Sequence, residues 1–128
     1  MNIINIEKLD GHKTIVLTGR DKHVRQIAKH LQARLYYAPN EYDYYEDYPM
    51  IAEELKNSLT YENGIVIITS QSEEFLDCLL QSGIDFAMVT VRKFDNDDND
   101  TYRLRVLTKE EAWANRCAFK FELRWTIQ

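Results

Sequence analysis

The chain has little of the chemistry that marks specialised protein classes. Its two cysteines, Cys78 and Cys117, lie far apart and offer no metal-type spacing. Both fall in predicted helices and read as small core residues in a reducing compartment. Two prolines and four glycines in 128 residues leave no linker, repeat or low-complexity block. No apolar run approaches the roughly 20 residues that a membrane span needs. The start, Met1-Asn2-Ile3-Ile4-Asn5, lacks the basic segment and apolar core of a signal peptide. A cytoplasmic protein without membrane association is therefore expected. Cations are also short: 16 Lys and Arg against 21 Asp and Glu leave a net charge of −5, which argues against direct nucleic-acid binding as the main role.

What remains is a hydrophobic share of 45 %, enough for one packed core, so residues 1–128 are expected to form a single domain. Thr14-Ile15-Val16-Leu17-Thr18 is short, β-branched and continuous, as a central parallel strand reads, and Gly19 ends it. Asp21 is placed to cap a helix whose Val24, Ile27, Ala28 and Leu31 share one face. Residues 35–38 read as a second strand closed by Pro39, followed by a loop over 40–48. Asp47 is a candidate cap, and Pro49 suits the first turn of a helix with Ile51, Ala52, Leu55 and Leu59 as its stripe. A third strand over 65–69 runs straight into a helix for which Ser70 and Glu73 have capping-box spacing. Phe75, Leu76, Leu79 and Leu80 form that helix's apolar face, and Gly83 stops it.

The alternation of strands and helices predicts a three-layer α/β fold: a mostly parallel sheet with helices on both faces, P-loop-NTPase-like or Rossmann-like. Residues 86–91 give a fourth strand, and Tyr102, Leu104 and Val106 alternate with Arg103 and Arg105 in a fifth. These two are expected to form a hairpin that adds an antiparallel edge at the C-terminal end. A helix from the Thr108/Glu111 capping box and a strand over 119–125 complete the prediction.

The run Ile-Val-Ile-Ile-Thr-Ser-Gln-Ser-Glu-Glu-Phe-Leu-Asp at 65–77, the strands at 87–92 and 102–107, the Thr-x-Glu-Glu-Ala helix start at 108–112 and the ending Phe121-Glu122-Leu123-Arg124 form an ordered series. Over residues 50–124 it resembles the distal part of ABC-like and AAA-type ATPases, the group that contains the overcoming-lysogenization-defect nucleases. The resemblance implies an ATPase-like scaffold whose nucleotide site has degenerated. Gln71 stands where the family carries a histidine near the γ-phosphate, and an amide carries neither proton nor charge. The turn Thr18-Gly19-Arg20-Asp21-Lys22-His23 has no Gly-Lys-Ser/Thr. Ala38-Pro39-Asn40-Glu41 offers neutral Asn40 where an acidic Mg²⁺ partner belongs, and no signature helix is visible. ATP hydrolysis by this chain alone is not expected, and the chain reads as a non-enzyme more readily than as an enzyme.

Two surfaces stand out. The first joins Arg20 and Lys22 with the corner Thr69, Ser70, Gln71 and Ser72, a possible anion or nucleotide site at the carboxyl edge of the sheet. The same serines also suffice as ordinary helix caps. The second is the segment over 40–48, where Tyr42, Tyr44, Tyr45 and Tyr48 alternate with acids including Glu46, a density of rings suited to a protein interface. His23 and His30 lie about 10.5 Å apart along one helix, too far for one zinc ion, and read as surface residues. The acidic run 95–100 reads as a hairpin tip rather than a calcium loop. No catalytic set, metal site or cofactor follows from spacing. The leading expectation is a non-catalytic interaction protein that engages a protein partner, an ATPase subunit or a basic protein, through the acidic, Tyr-rich loop. The alternatives are a small nucleotide- or phosphate-binding protein using the strand-to-helix corners, and an acidic mimic of nucleic acid.

Overall fold

A computed structural model describes residues 1–37, 47–70, 72–93 and 100–107. Within them lie six strands: β1 (Asn2–Ile4), β2 (Thr14–Thr18), β3 (Arg34–Tyr37), β4 (Val66–Thr69), β5 (Ala87–Lys93) and β6 (Thr101–Leu107). Three helices, α1 (Asp21–Leu31), α2 (Tyr48–Leu59) and α3 (Glu73–Gln81), join β2 to β5, and a short 3-10 helix covers Ile6–Leu9. The predicted helix after Thr108 and the predicted strand over 119–125 lie outside the described residues.

The strands form one sheet in the order β1-β6-β5-β2-β4-β3. Every described pairing is parallel except β5 with β6. The chain leaves β2 for the far edge at β3, returns to β4, and then passes over β2 to β5. Because parallel crossovers are right-handed, that reversal puts α1 on one face and α2 and α3 on the other. The packing agrees. Val24 and Ile27 of α1 join Ile15, Leu17, Ile67 and Val89 in one core. Tyr48, Ala52 and Leu55 of α2 join Phe75 and Leu79 of α3, with Val16, Ile68 and Met88, in the other. Neighbours such as Ile67 and Ile68 serve opposite faces, as the two-residue period of a strand requires.

The three-layer, mostly parallel α/β class is thus as expected. The strand order, however, is neither of the two common dinucleotide- and flavin-binding orders, 3-2-1-4-5-6 and 2-1-3-4-5. The edge also differs. The β5–β6 hairpin forms, with Val91 opposite Leu104, but β6 is not the edge strand among the described residues. β1 pairs with it in parallel, Ile3 opposite Tyr102, and takes the edge position. Three residues are too few to show a period, which is why the sequence did not announce β1.

Candidate functional site

The two predicted corners are brought together. β2 and β4 are neighbours with Val16 opposite Ile68, and the helices that follow them leave toward opposite faces. Their carboxyl ends therefore part at a topological switch point, the usual ligand position in an open α/β sheet. Thr18, Gly19 and Arg20 approach from one side, and Thr69, Ser70 and Ser72 from the other. Gln71 lies outside the described residues.

The groups gathered there are largely committed to structure. Gly19 packs so closely on β5 that a Cβ would lie 2.7 Å from Val91 Cγ1 and 2.9 Å from its carbonyl oxygen. The buried Thr18 hydroxyl points at the Val89 carbonyl, 3.5 Å away. Ser72, 1 % exposed, is the N-cap of α3: its Oγ accepts from the Phe75 amide at 3.2 Å. Ser70, also buried, accepts from the Ser72 amide at 3.1 Å through its own Oγ. The predicted capping box at Ser70 is thus corrected. Ser70 shapes the turn, and the cap two residues on contributes about 1 kcal/mol.

At the start of α1 the helix end already faces a carboxylate. Asp21 is the first helical residue rather than the cap, and Arg20 occupies the N-cap position without a side-chain cap bond. Arg25 Nε donates to Asp21 Oδ2 at 2.7 Å and Tyr37 Oη to Oδ1 at 3.0 Å. The Arg25 hydrogen bond, aided by Tyr37, holds the Asp21 carboxyl below its usual range. A resident anion at a helix N-terminus weakens the attraction for a second one. Arg20 and Lys22 are exposed, and the charge of Lys22 is shared with Asp100, whose carboxyl is lowered first by the Lys93 hydrogen bond and also by Lys22. Lys93 Nζ lies 2.9 Å from Asp100. The corner is a tied-down junction with two surface cations at its rim.

The Tyr-rich segment divides. Tyr42, Tyr44, Tyr45 and Glu46 lie outside the described residues. Tyr48 does not belong to an exposed loop: it is the first residue of α2, 1 % exposed, and meets Phe75 edge to face at 5.5 Å. Its place four residues before Ala52 and seven before Leu55 was the signal that it joins the buried stripe. The flanks of the segment carry exposed apolar surface instead, Tyr37 at the end of β3 and Met50 in the first turn of α2, each 56 % exposed. His23 needs a smaller correction: it is half-buried, with its ring edge-on to Tyr102 at 5.5 Å, whereas His30 is exposed. Cys78 is half-buried beside the α2–α3 core, and burial, then Asp77, push its thiol up, the opposite of an activated nucleophile.

One cluster was not picked out as a site from the sequence. A hollow of about 410 Å³ lies against the hairpin and is lined by Lys8, Arg92, Arg103 and Arg105, with Asn5 and Thr90. Arg92 pairs directly with Arg103, and Thr90 with Arg105, so these four share one face of the ladder. Asn5 closes the rim by donating to the Leu104 carbonyl at 2.9 Å. The alternation of Arg103 and Arg105 was visible in the sequence. Arg92, Lys8 and Asn5 reach them only through β-pairing.

Among the described residues no group of His, Cys, Asp and Glu is placed to hold a metal ion, and no helix is long and apolar enough to cross a membrane. Fold and site together define a mixed α/β protein with a structurally occupied switch point and a basic hollow on its hairpin. No family model, curated protein or solved structure matches the chain.

Proposed function

We propose that this chain is a non-catalytic interaction protein on a degenerate ATPase-like scaffold, and that it binds a protein partner at the carboxyl edge of its sheet. The observation that carries the reading is the commitment of the switch point: the Ser70 and Ser72 hydroxyls hold the start of α3, and Gly19 is packed against Val91. A binding surface remains beside it, where exposed Tyr37 and Met50 flank the segment with Tyr42, Tyr44, Tyr45 and Glu46. Aromatic and Met anchors on either side of an acid-rich stretch of sequence suit a basic partner, an ATPase subunit among them. Replacing Tyr44, Tyr45 and Glu46 together with alanine is expected to abolish partner capture while the thermal midpoint stays in place. Capture that survives the triple change removes the segment from the interface.

A second reading, a nucleotide- or phosphate-binding protein, is favoured by the adjacency of Arg20 and Lys22 to Thr69 and Ser70 across β2 and β4. A thermal-shift titration with Mg²⁺ and ATP, GTP or ADP separates the two. A ligand at 100 times its Kd stabilises by about 2.7 kcal/mol, several degrees for a domain this size. A shift that Arg20→Ala cancels transfers the function to the corner. An Arg20-independent result leaves the interaction reading in place. The third alternative, an acidic nucleic-acid mimic, rests on carboxylates at 41–47 and 95–100, most of which lie outside the described residues.

A further inference from the structure

We infer that the hollow formed by Lys8, Arg92, Arg103 and Arg105 is a binding site for a small polyphosphate-type anion. Three guanidinium groups issue from one face of two adjacent strands, with Arg92 directly opposite Arg103. Guanidinium groups and an ammonium gathered around one hollow suit a ligand that carries several negative charges. The clustering is also against composition, since it occurs in a chain of net charge −5. Among the described residues, Lys8 and Arg103 form no ion pair.

The form of the hollow narrows the ligand. Its volume of about 410 Å³ is within the range of small-molecule sites. Guanidinium forks match phosphate oxygens two at a time, and Lys8 adds a compact point charge. Thr90 and Asn5 supply neutral polar groups at the wall and rim. Among the described residues no aromatic side chain lines the space to stack a nucleobase. The geometry therefore favours the phosphates themselves, whether as an inorganic di- or triphosphate or as the charged ends of a small phosphorylated metabolite.

The test is isothermal titration of the full chain with sodium tripolyphosphate and, separately, with a sugar bisphosphate, in phosphate-free buffer at physiological salt. Saturable binding of either is expected, and the tighter of the two identifies the source of the phosphates. Arg103→Gln and Arg105→Gln, both at exposed positions, should each weaken it by about tenfold, the usual effect of losing one charge-assisted contact. Lys29→Gln, an exposed cation on α1, should leave affinity unchanged and controls for net charge. Unchanged thermal midpoints verify that the variants are folded. Absence of heat with both probes at millimolar concentration overturns the proposal, as does affinity that ignores Arg103 and Arg105. Loss with Arg20→Ala instead would assign the ligand to the switch-point corner. A short oligonucleotide that binds far more tightly than tripolyphosphate would replace the small anion with nucleic acid.

Discussion

Gly19 stands where β2 hands over to α1, and its surroundings explain why no larger residue fits. Its φ of 152° lies in a region that L side chains rarely adopt, and the space a Cβ would fill is held by Val91. Gly19→Ala should therefore cost about 2–4 kcal/mol, combining backbone strain with overpacking against a sheet strand. Urea denaturation measures it, and a loss under about 1 kcal/mol would mean that the corner relaxes freely. Two residues on, Asp21 pairs with Arg25 one turn along α1 and ties the start of that helix to the end of β3 through Tyr37. Its carboxyl is lowered in the folded chain, first by the Arg25 hydrogen bond. An unfolded Asp titrates near about 3.9. The stabilisation is thus fully present above that pH and is lost as the pH falls through the lower folded value. Because the pair is largely solvent-exposed, screening keeps the contribution small. Asp21→Asn should show that small deficit at pH 7, and the gap to the parent chain should close as the pH falls through the lowered folded value. A gap that persists in acid would point to packing rather than charge.

At the scale of elements, the joint between α2 and α3 is the clearest case of an aromatic residue changing its role with context. Tyr48 opens α2 fully buried, edge-on to Phe75 at 82° between ring planes. Tyr48→Ala should cost about 3–5 kcal/mol, the range for removing a large buried ring. An interface tyrosine on a solvated loop would cost well under 1 kcal/mol, so the measurement separates the two roles. The same residue marks how far the sequence could be read. Strong local signals were sufficient for β2, whose Thr14–Thr18 run is continuous, and for α1, where Val24, Ile27 and Ala28 are buried as their spacing implies. Gly83 takes a positive φ of 84° just past α3, as a helix stop should. Tyr48 was hidden because it ends a segment dense in exposed-type tyrosines and acids, and composition there outweighed helical spacing. The cap of α3 was displaced by two residues because three polar residues, Ser70, Gln71 and Ser72, compete for one role, and only the hydrogen bond to the Phe75 amide decides between the serines.

The described residues form one sheet separating two apolar cores, and the non-local features follow from that arrangement. The meeting of Thr18–Arg20 with Thr69–Ser72 depends on β4 inserting beside β2, and the basic hollow depends on β1 and β5 flanking β6. Neither neighbour relation leaves a trace in local periodicity, so the corner residues were legible one by one and the hollow was not. The shared sheet also makes a statement about cooperativity. Ile27 is buried in the core under α1, and Ile68 in the core under α2 and α3, with the sheet between them. Ile27→Val and Ile68→Val should each cost about 1 kcal/mol, the usual loss for one buried methylene. Side chains on opposite faces share no partner, so the double variant should equal the sum within about 0.5 kcal/mol. Each core nonetheless rests on the same β2, β4 and β5, so neither can melt without exposing the other's floor. A single urea transition with an unchanged slope is then expected for all three variants, followed both by backbone ellipticity and by tryptophan-independent tyrosine absorbance. Two transitions, or a reduced slope in only one variant, would show that one helix layer detaches while the sheet and its other face remain folded.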